Sequence, residues 1–260
     1  MKSKTKYNLL VRSFYLLALM TLPLFSRADE NSTLFDEGNA AFAKGQYQQA
    51  SEDYQKIVDG GYQSAAVFFN LGNAYYRLGD LPSSLLYYEK AHKLAPGDDD
   101  INFNIHFANA RTTDKLEQVP EFFVTKWWNS VILFFSVSTL SVLSVLFVIG
   151  GFGLLILYLF TNTFIVKRSS FYTGIVVILA GLAFVFMASQ QENYFNSHHQ
   201  AIIFSSSVTA KSTPDANGKP LFVVHEGTKV DVLRKTDNAL EVQLPNGNAG
   251  WIELSDAKDI

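Results

Sequence analysis

Apolar positions along this 260-residue chain follow four rhythms in turn. A short run from Phe14 to Met20 follows Lys2, Lys4, Lys6 and Arg12 and ends at Pro23 and Ser26-Arg27-Ala28. Apolar and small residues then recur at helical spacing from 29 to 116, in blocks that repeat. Two long stretches without a charged side chain come next, Trp127 to Phe160 and Phe171 to Ala188. From Gln200 onward the runs become short and alternating, as in Lys229-Val230-Asp231-Val232-Leu233 and Glu241-Val242-Gln243-Leu244. These patterns predict an address segment, helical hairpins, two spanning helices and an antiparallel β-domain, in that order.

The amino-terminal segment reads as a signal peptide over 1–28. Its cations precede a short apolar run, and small residues at Ser26 and Ala28 fit cleavage after Ala28. An uncleaved anchor is the alternative, and in either case Asp29 begins outside the cytoplasm.

The helical block repeats with a countable period. Gly45-Gln46-Tyr47 and Gly79-Asp80-Leu81 stand 34 residues apart, the length of a tetratricopeptide helix-turn-helix unit. Gly38 matches Gly72, Asn39 matches Asn73, Phe42 matches Tyr76 and Tyr54 matches Tyr88. The glycines at 38 and 72 let paired helices approach, and the tyrosines fill the gap between pairs. Pro96-Gly97 stops the second pair, and Asp98, Asp99 and Asp100 favour the start of a further helix from about Ile101 to Arg111, read as a cap. That aspartate run lacks the alternating ligands and distal glutamate of a calcium loop. The first helix of each pair lines the inner surface of such repeats. Phe35, Asn39, Phe42, Phe69, Asn73, Tyr76 and Arg77 are therefore the candidate protein-binding residues, the asparagines as backbone clamps and the aromatics as anchors. Packing between helices is the alternative role for each aromatic.

The two uncharged stretches predict transmembrane helices at 140–160 and 171–188. Serines crowd 130–144, so 117–139 is expected to be a linker with an interfacial segment, and Trp127-Trp128 to lie at headgroup level. Gly150, Gly151, Gly153, Gly174 and Gly181 are expected to let the two helices pack closely. Lys167 and Arg168 are the only charges in the expected 161–170 loop and put it in the cytoplasm. Both folded parts then lie on the extracytoplasmic side, with 189–199 as a polar stalk.

Turn signals at Asn217-Gly218, Glu226-Gly227 and Pro245-Asn246-Gly247 divide the carboxyl-terminal runs at the spacing of a small barrel. With Gly250-Trp251-Ile252, the region 200–260 resembles the bacterial SH3-like domain. The expected fold is thus multidomain: all-α tetratricopeptide hairpins, a two-helix transmembrane hairpin and an all-β SH3-like barrel.

Composition narrows the chemistry. The chain is 48% hydrophobic and 17% charged, with a formal charge of −3, which argues for a lipid bilayer and against nucleic acid as a partner. It has no cysteine, so disulfides, thiol nucleophiles and thiolate metal sites are excluded. The block 29–116 holds thirteen acids against seven bases, which favours a neutral or basic partner. His92, His106, His198, His199 and His225 show no metal or triad spacing, and no phosphate loop is present. The expectation is a binding protein, with no enzyme activity, cofactor or metal.

The order of signal peptide, acidic repeats, Trp-Trp-led membrane hairpin and SH3-like domain resembles the BatE family of aerotolerance operons. That resemblance implies an inner-membrane protein acting with other Bat proteins, among them von Willebrand A-type membrane proteins, in oxygen or envelope-stress tolerance. The alternative reading is a cell-wall sensor whose SH3-like domain recognises peptidoglycan.

Overall fold

The computed structural model describes residues 30–115, 119–120, 122–215 and 217–260. The expected signal peptide, 1–28, lies outside the described residues. Five helices build the repeats: α1 (30–43), α2 (Tyr47–Asp59), α3 (Ala65–Leu78), α4 (Leu81–Leu94) and α5 (Asp99–Asn109). Their ends follow local chemistry. Gly45 and Gly79 take left-handed φ of +76° and +84° and reverse the chain after α1 and α3. Ser64, Asp80 and Asp98 accept hydrogen bonds from the first-turn amides of α3, α4 and α5.

Packing within the repeats turns on two glycines. A Cβ on Gly38 would sit 2.6 Å from the Tyr54 ring, and one on Gly72 would sit 2.6 Å from the Tyr88 ring. Both tyrosines are fully buried, so neither ring has room to yield. Gly72→Ala is expected to destabilise the protein by about 1–3 kcal/mol through overpacking, read as a lowered thermal midpoint. An unchanged midpoint would show that Tyr88 can move aside.

The next three helices are α6 (Phe123–Ile132), α7 (Val137–Phe160) and α8 (Phe164–Ser197). By length and composition α7 and α8 can each cross a bilayer, and most of their apolar side chains face outward. They pack as a hairpin through Gly151, Gly174 and Gly181, where a Cβ would come within 3.1 Å of the facing helix. Gly150 and Gly153, expected to share this role, have nothing within 4 Å. The expected loop 161–170 is only 161–163, and the expected stalk is helical as far as Ser197. Lys167, Arg168 and the polar run after Ala188 end the apolar stretch, but they contain no glycine or proline to stop a helix.

Seven antiparallel strands complete the chain: β1 (Gln200–Ile203), β2 (Ser207–Lys211), β3 (Pro220–His225), β4 (Lys229–Lys235), β5 (Ala239–Gln243), β6 (Ala249–Glu253) and β7 (Ala257–Asp259). Their order is β3-β2-β6-β5-β4-β1-β7. The sheet is therefore open, with β3 and β7 as unpaired edges, where a closed barrel was expected. It curls nevertheless, because one core cluster draws buried residues from every strand, from Ala201 and Ile203 to Ala257. β2 and β6 pair in register at Lys211↔Trp251, with a cleft beside them.

The sheet docks on the repeats. Ile202, Phe204 and Ile260 enter one apolar cluster with Leu85, Leu86, Tyr88 and Ala108. Around it, Lys229 Nζ lies 2.9 Å from Glu89 Oε1, and Lys93 Nζ donates to the Ile260 carbonyl at 3.0 Å. Asp114 clasps the β3–β4 turn, accepting from the His225 amide at 2.7 Å and the Thr228 hydroxyl at 2.8 Å. His225 Nδ1 lies 2.8 Å from its other oxygen and must carry the hydrogen, since a carboxylate only accepts. Burial raises the Asp114 pKa, but these bonds outweigh it and hold the carboxyl below its ordinary value.

The hairpin is joined to the same body. Gln191 Nε2 donates to the Phe135 carbonyl at 3.0 Å, tying α8 to the α6–α7 turn. A Cβ on Gly97 would lie 2.0 Å from the Phe134 carbonyl oxygen, so the α4–α5 turn rests directly on that turn.

Candidate protein-binding groove

The helices α1, α3 and α5 run in sequence along one face of the repeats, and the 34-residue period puts matched side chains beside each other. Two polar triads result. Asn39 Oδ1 accepts from Tyr54 OH at 2.7 Å and from Asn70 Nδ2 at 2.9 Å. One repeat later, Asn73 Oδ1 accepts from Tyr88 OH at 2.7 Å and from Asn104 Nδ2 at 3.4 Å. Burial pushes both phenols up to about 12, so the hydroxyls remain donors at neutral pH.

This geometry revises the part expected of the asparagines. Their acceptor oxygens already hold the tyrosines, so Asn39 and Asn73 are first of all internal struts of the repeat. What each can still offer a ligand is its amide Nδ2. Asn39, Phe42 and Asn73 come together with Ala43, Tyr54 and Asn70 around a small pocket of about 120 Å³.

The other candidates separate. Phe35 packs against Tyr54 with tilted rings 5.9 Å apart and lines a different depression with Tyr62 and Val67. Phe69 is half-buried between two apolar clusters, which is a packing position. Tyr76 is likewise half-buried against one of these clusters, with Phe107 5.6 Å from its ring and the Arg111 guanidinium 5.1 Å away. Arg77 lies 4.4 Å over the Tyr47 ring of α2 and does not line the pocket.

Two residues of α5 were not among the candidates. Phe103 and Phe107 are 66% and 52% exposed, and their rings stack at 6.0 Å. The sequence carries a signal for the first of them, since Phe35, Phe69 and Phe103 are spaced by 34 residues. Reading α5 only as a cap hid it. With Tyr76 and Arg111 they form an exposed aromatic and cationic patch at the end of the groove, and exposed paired rings are suited to gripping an apolar or aromatic anchor.

A second concavity, about 900 Å³, lies in the sheet between β2, the β4–β5 turn and the short 3₁₀ turn Leu254–Asp256. Ser207, Thr209, Lys211, Asp237 and Trp251 line it. Arg234 stands over the Trp251 ring at 5.4 Å and donates to Glu241 at 3.0 Å.

A tetratricopeptide-repeat family model matches residues 35–99, from within α1 to the start of α5. No curated protein matches the chain. Among solved structures, a TPR repeats protein from Bacteroides fragilis NCTC 9343 is similar, with 13% identity over 66% of this chain and 80% of that one, and a TM-score of 0.29. At that score the likeness adds nothing to the fold, so the repeat assignment rests on residues 35–99 and on the packing of Gly38, Tyr54, Gly72 and Tyr88.

Proposed function

We propose that the chain is a membrane-anchored interaction scaffold of a Bat-type envelope complex linked to oxygen or stress tolerance. It acts by binding and not by catalysis. The groove of α1, α3 and α5 grips a segment of a membrane partner, with von Willebrand A-type Bat proteins as the expected class. α7 and α8 span the inner membrane, Lys167 and Arg168 lie at its cytoplasmic face, and the repeats and sheet lie together on the extracytoplasmic side. The observation that carries this reading is the exposed pair Phe103 and Phe107 beside Tyr76, an aromatic patch on an element whose other face is already packed.

A second reading has one observation in its favour. The 900 Å³ cleft makes the sheet a candidate SH3-like wall-binding domain, in which Trp251 would contact peptidoglycan.

Site-specific photo-crosslinking separates the two. A photoreactive residue in place of Phe107 is expected to capture a membrane protein, and one in place of Lys211 to capture little. Capture of wall fragments at 211 with none at 107 would exchange the readings. Because the chain has no cysteine, sidedness follows from single substitutions. Asn246→Cys should react with an impermeant maleimide in intact cells and Thr163→Cys only after lysis. The opposite pattern would reverse the orientation.

A further inference from the structure

A cavity of about 390 Å³ lies where three parts of the chain converge: the α4–α5 turn, the helix α6 and the extension of α8 beyond its apolar stretch. His92, Asp99, Asn102, Lys126, Asn129 and Tyr194 supply its polar lining, and Leu133 and Phe134 supply apolar floor. Helix α6 is amphipathic and exposes Phe123 and Trp127 to the surroundings. The apolar stretch of α8 ends at Ala188, and Tyr194 follows six residues later, about 9 Å further along the helix axis. A bilayer adds roughly 5–8 Å of headgroup region to each side of its hydrocarbon core. Tyr194 therefore stands at the outer edge of the headgroup layer if α7 and α8 span the membrane, with the cavity opening beside it, and the inference rests on that part of the proposed function.

The charge in the cavity is balanced. Lys126 and Asp99 make no ion pair among the described residues. Burial pushes the His92 imidazole down from its ordinary value, which leaves it neutral and adds no second cation. Asp98, not Asp99, caps α5, so the Asp99 carboxylate is not committed to holding the helix. One cation, one anion and one carboxamide match a phosphate joined to a primary ammonium, and match a net anionic headgroup poorly.

We infer that this cavity binds the headgroup of a zwitterionic aminophospholipid of the surrounding bilayer. Lys126 and the Asn129 carboxamide hold the phosphate, and Asp99 holds the ammonium, while Asn102 Nδ2 donates to the Pro96 carbonyl at 2.9 Å and fixes the wall of the cavity. The acyl chains leave over Phe134 toward the membrane. The bound lipid then forms part of the joint between the repeats and the hairpin.

The test is native mass spectrometry of the full-length protein in mild detergent, titrated with phosphatidylethanolamine, phosphatidylglycerol or glycerophosphoethanolamine. One phosphatidylethanolamine should be retained with at least tenfold preference over phosphatidylglycerol. Lys126→Gln should weaken that retention about tenfold, and Asp99→Asn should abolish the preference, both at an unchanged melting temperature. Equal retention of the two lipids, or indifference to both substitutions, would overturn the site. Tight binding of glycerophosphoethanolamine alone would overturn the bilayer as its source. Alkaline carbonate extraction of the same membranes tests the spanning reading separately. A protein that resists extraction yet shows no lipid preference removes only the cavity assignment.

Discussion

Glu89→Ala is expected to lower the unfolding free energy by about 2–4 kcal/mol and to release the β-sheet from the repeats. The Glu89 side chain is 4% exposed and its partner Lys229 is 37% exposed. Removing one member of a buried pair strands the other charge, at a cost of about 3–5 kcal/mol, and the partial exposure of Lys229 moves the expectation toward and below the bottom of that range. Burial would push the Lys229 ammonium down, but the charge and hydrogen bond of Glu89 outweigh it and hold the pKa above its ordinary value. A raised lysine contributes stability that is complete below its unfolded pKa of about 10.4 and is lost as pH rises through the higher folded value. Asp114 behaves oppositely. Its depressed pKa contributes stability above about pH 3.9, lost as pH falls through the lower folded value. The docking should therefore weaken in strong acid through Asp114 and in strong alkali through Lys229. Denaturation of the detergent-solubilised chain, with amide exchange at Ala201–Ile203 as the local probe, reads both effects. If Glu89→Ala leaves stability and exchange unchanged, the apolar cluster alone holds the interface.

The second large effect concerns binding. Phe103→Ala combined with Phe107→Ala is expected to weaken partner association at least tenfold, because exposed aromatic pairs at a groove end have the size and position of interface hot spots. Folding should hardly notice, since surface truncations of this kind stay within about 0.5 kcal/mol. Asn39→Ala and Asn73→Ala should do the reverse. Each leaves a buried tyrosine hydroxyl without its acceptor, at a cost of about 1–3 kcal/mol, with a smaller direct loss of binding. Affinity and thermal midpoint measured on both double variants decide the matter. Stable asparagine variants that no longer bind, beside phenylalanine variants that bind normally, would return the groove to its asparagine clamps.

Much of this architecture is legible in the chain because some positions admit a single physical solution. Gly38 and Gly72 recur with Tyr54 and Tyr88 because a buried ring and a missing Cβ must coincide in every repeat. The apolar runs of α7 and α8 are equally plain. What escaped are features set by partners distant in sequence. Ile202 is an ordinary strand residue and Phe204 and Ile260 lie just past strand ends, and nothing in their neighbourhood announces that they cover Leu85 and Leu86. Asp114 is one of thirteen acids in the block 29–116 and is set apart only when His225 and Thr228 are brought to it. The length of α8 was hidden for another reason: hydropathy marks where an apolar stretch ends, whereas a helix ends only where its backbone finds a different partner. The 34-residue period also reaches Phe103, one period after Phe69, but a helix expected only to cap the repeats offers no reason for its ring to face outward.

The unbroken course of α8 has a mechanical consequence. At 34 residues it is a rod about 51 Å long, and the first strand of the sheet starts only three residues after its end. A rod of that length pivoting by 10° at Phe164 displaces its other tip by about 9 Å. Only His198 and His199 separate that tip from β1, whose Ile202 is wedged against Leu85 and Leu86 of α4, so a swing of the rod bears on the repeats through a two-residue link. The same short link makes α8 a lever whose far end and the docked sheet can hardly be displaced independently.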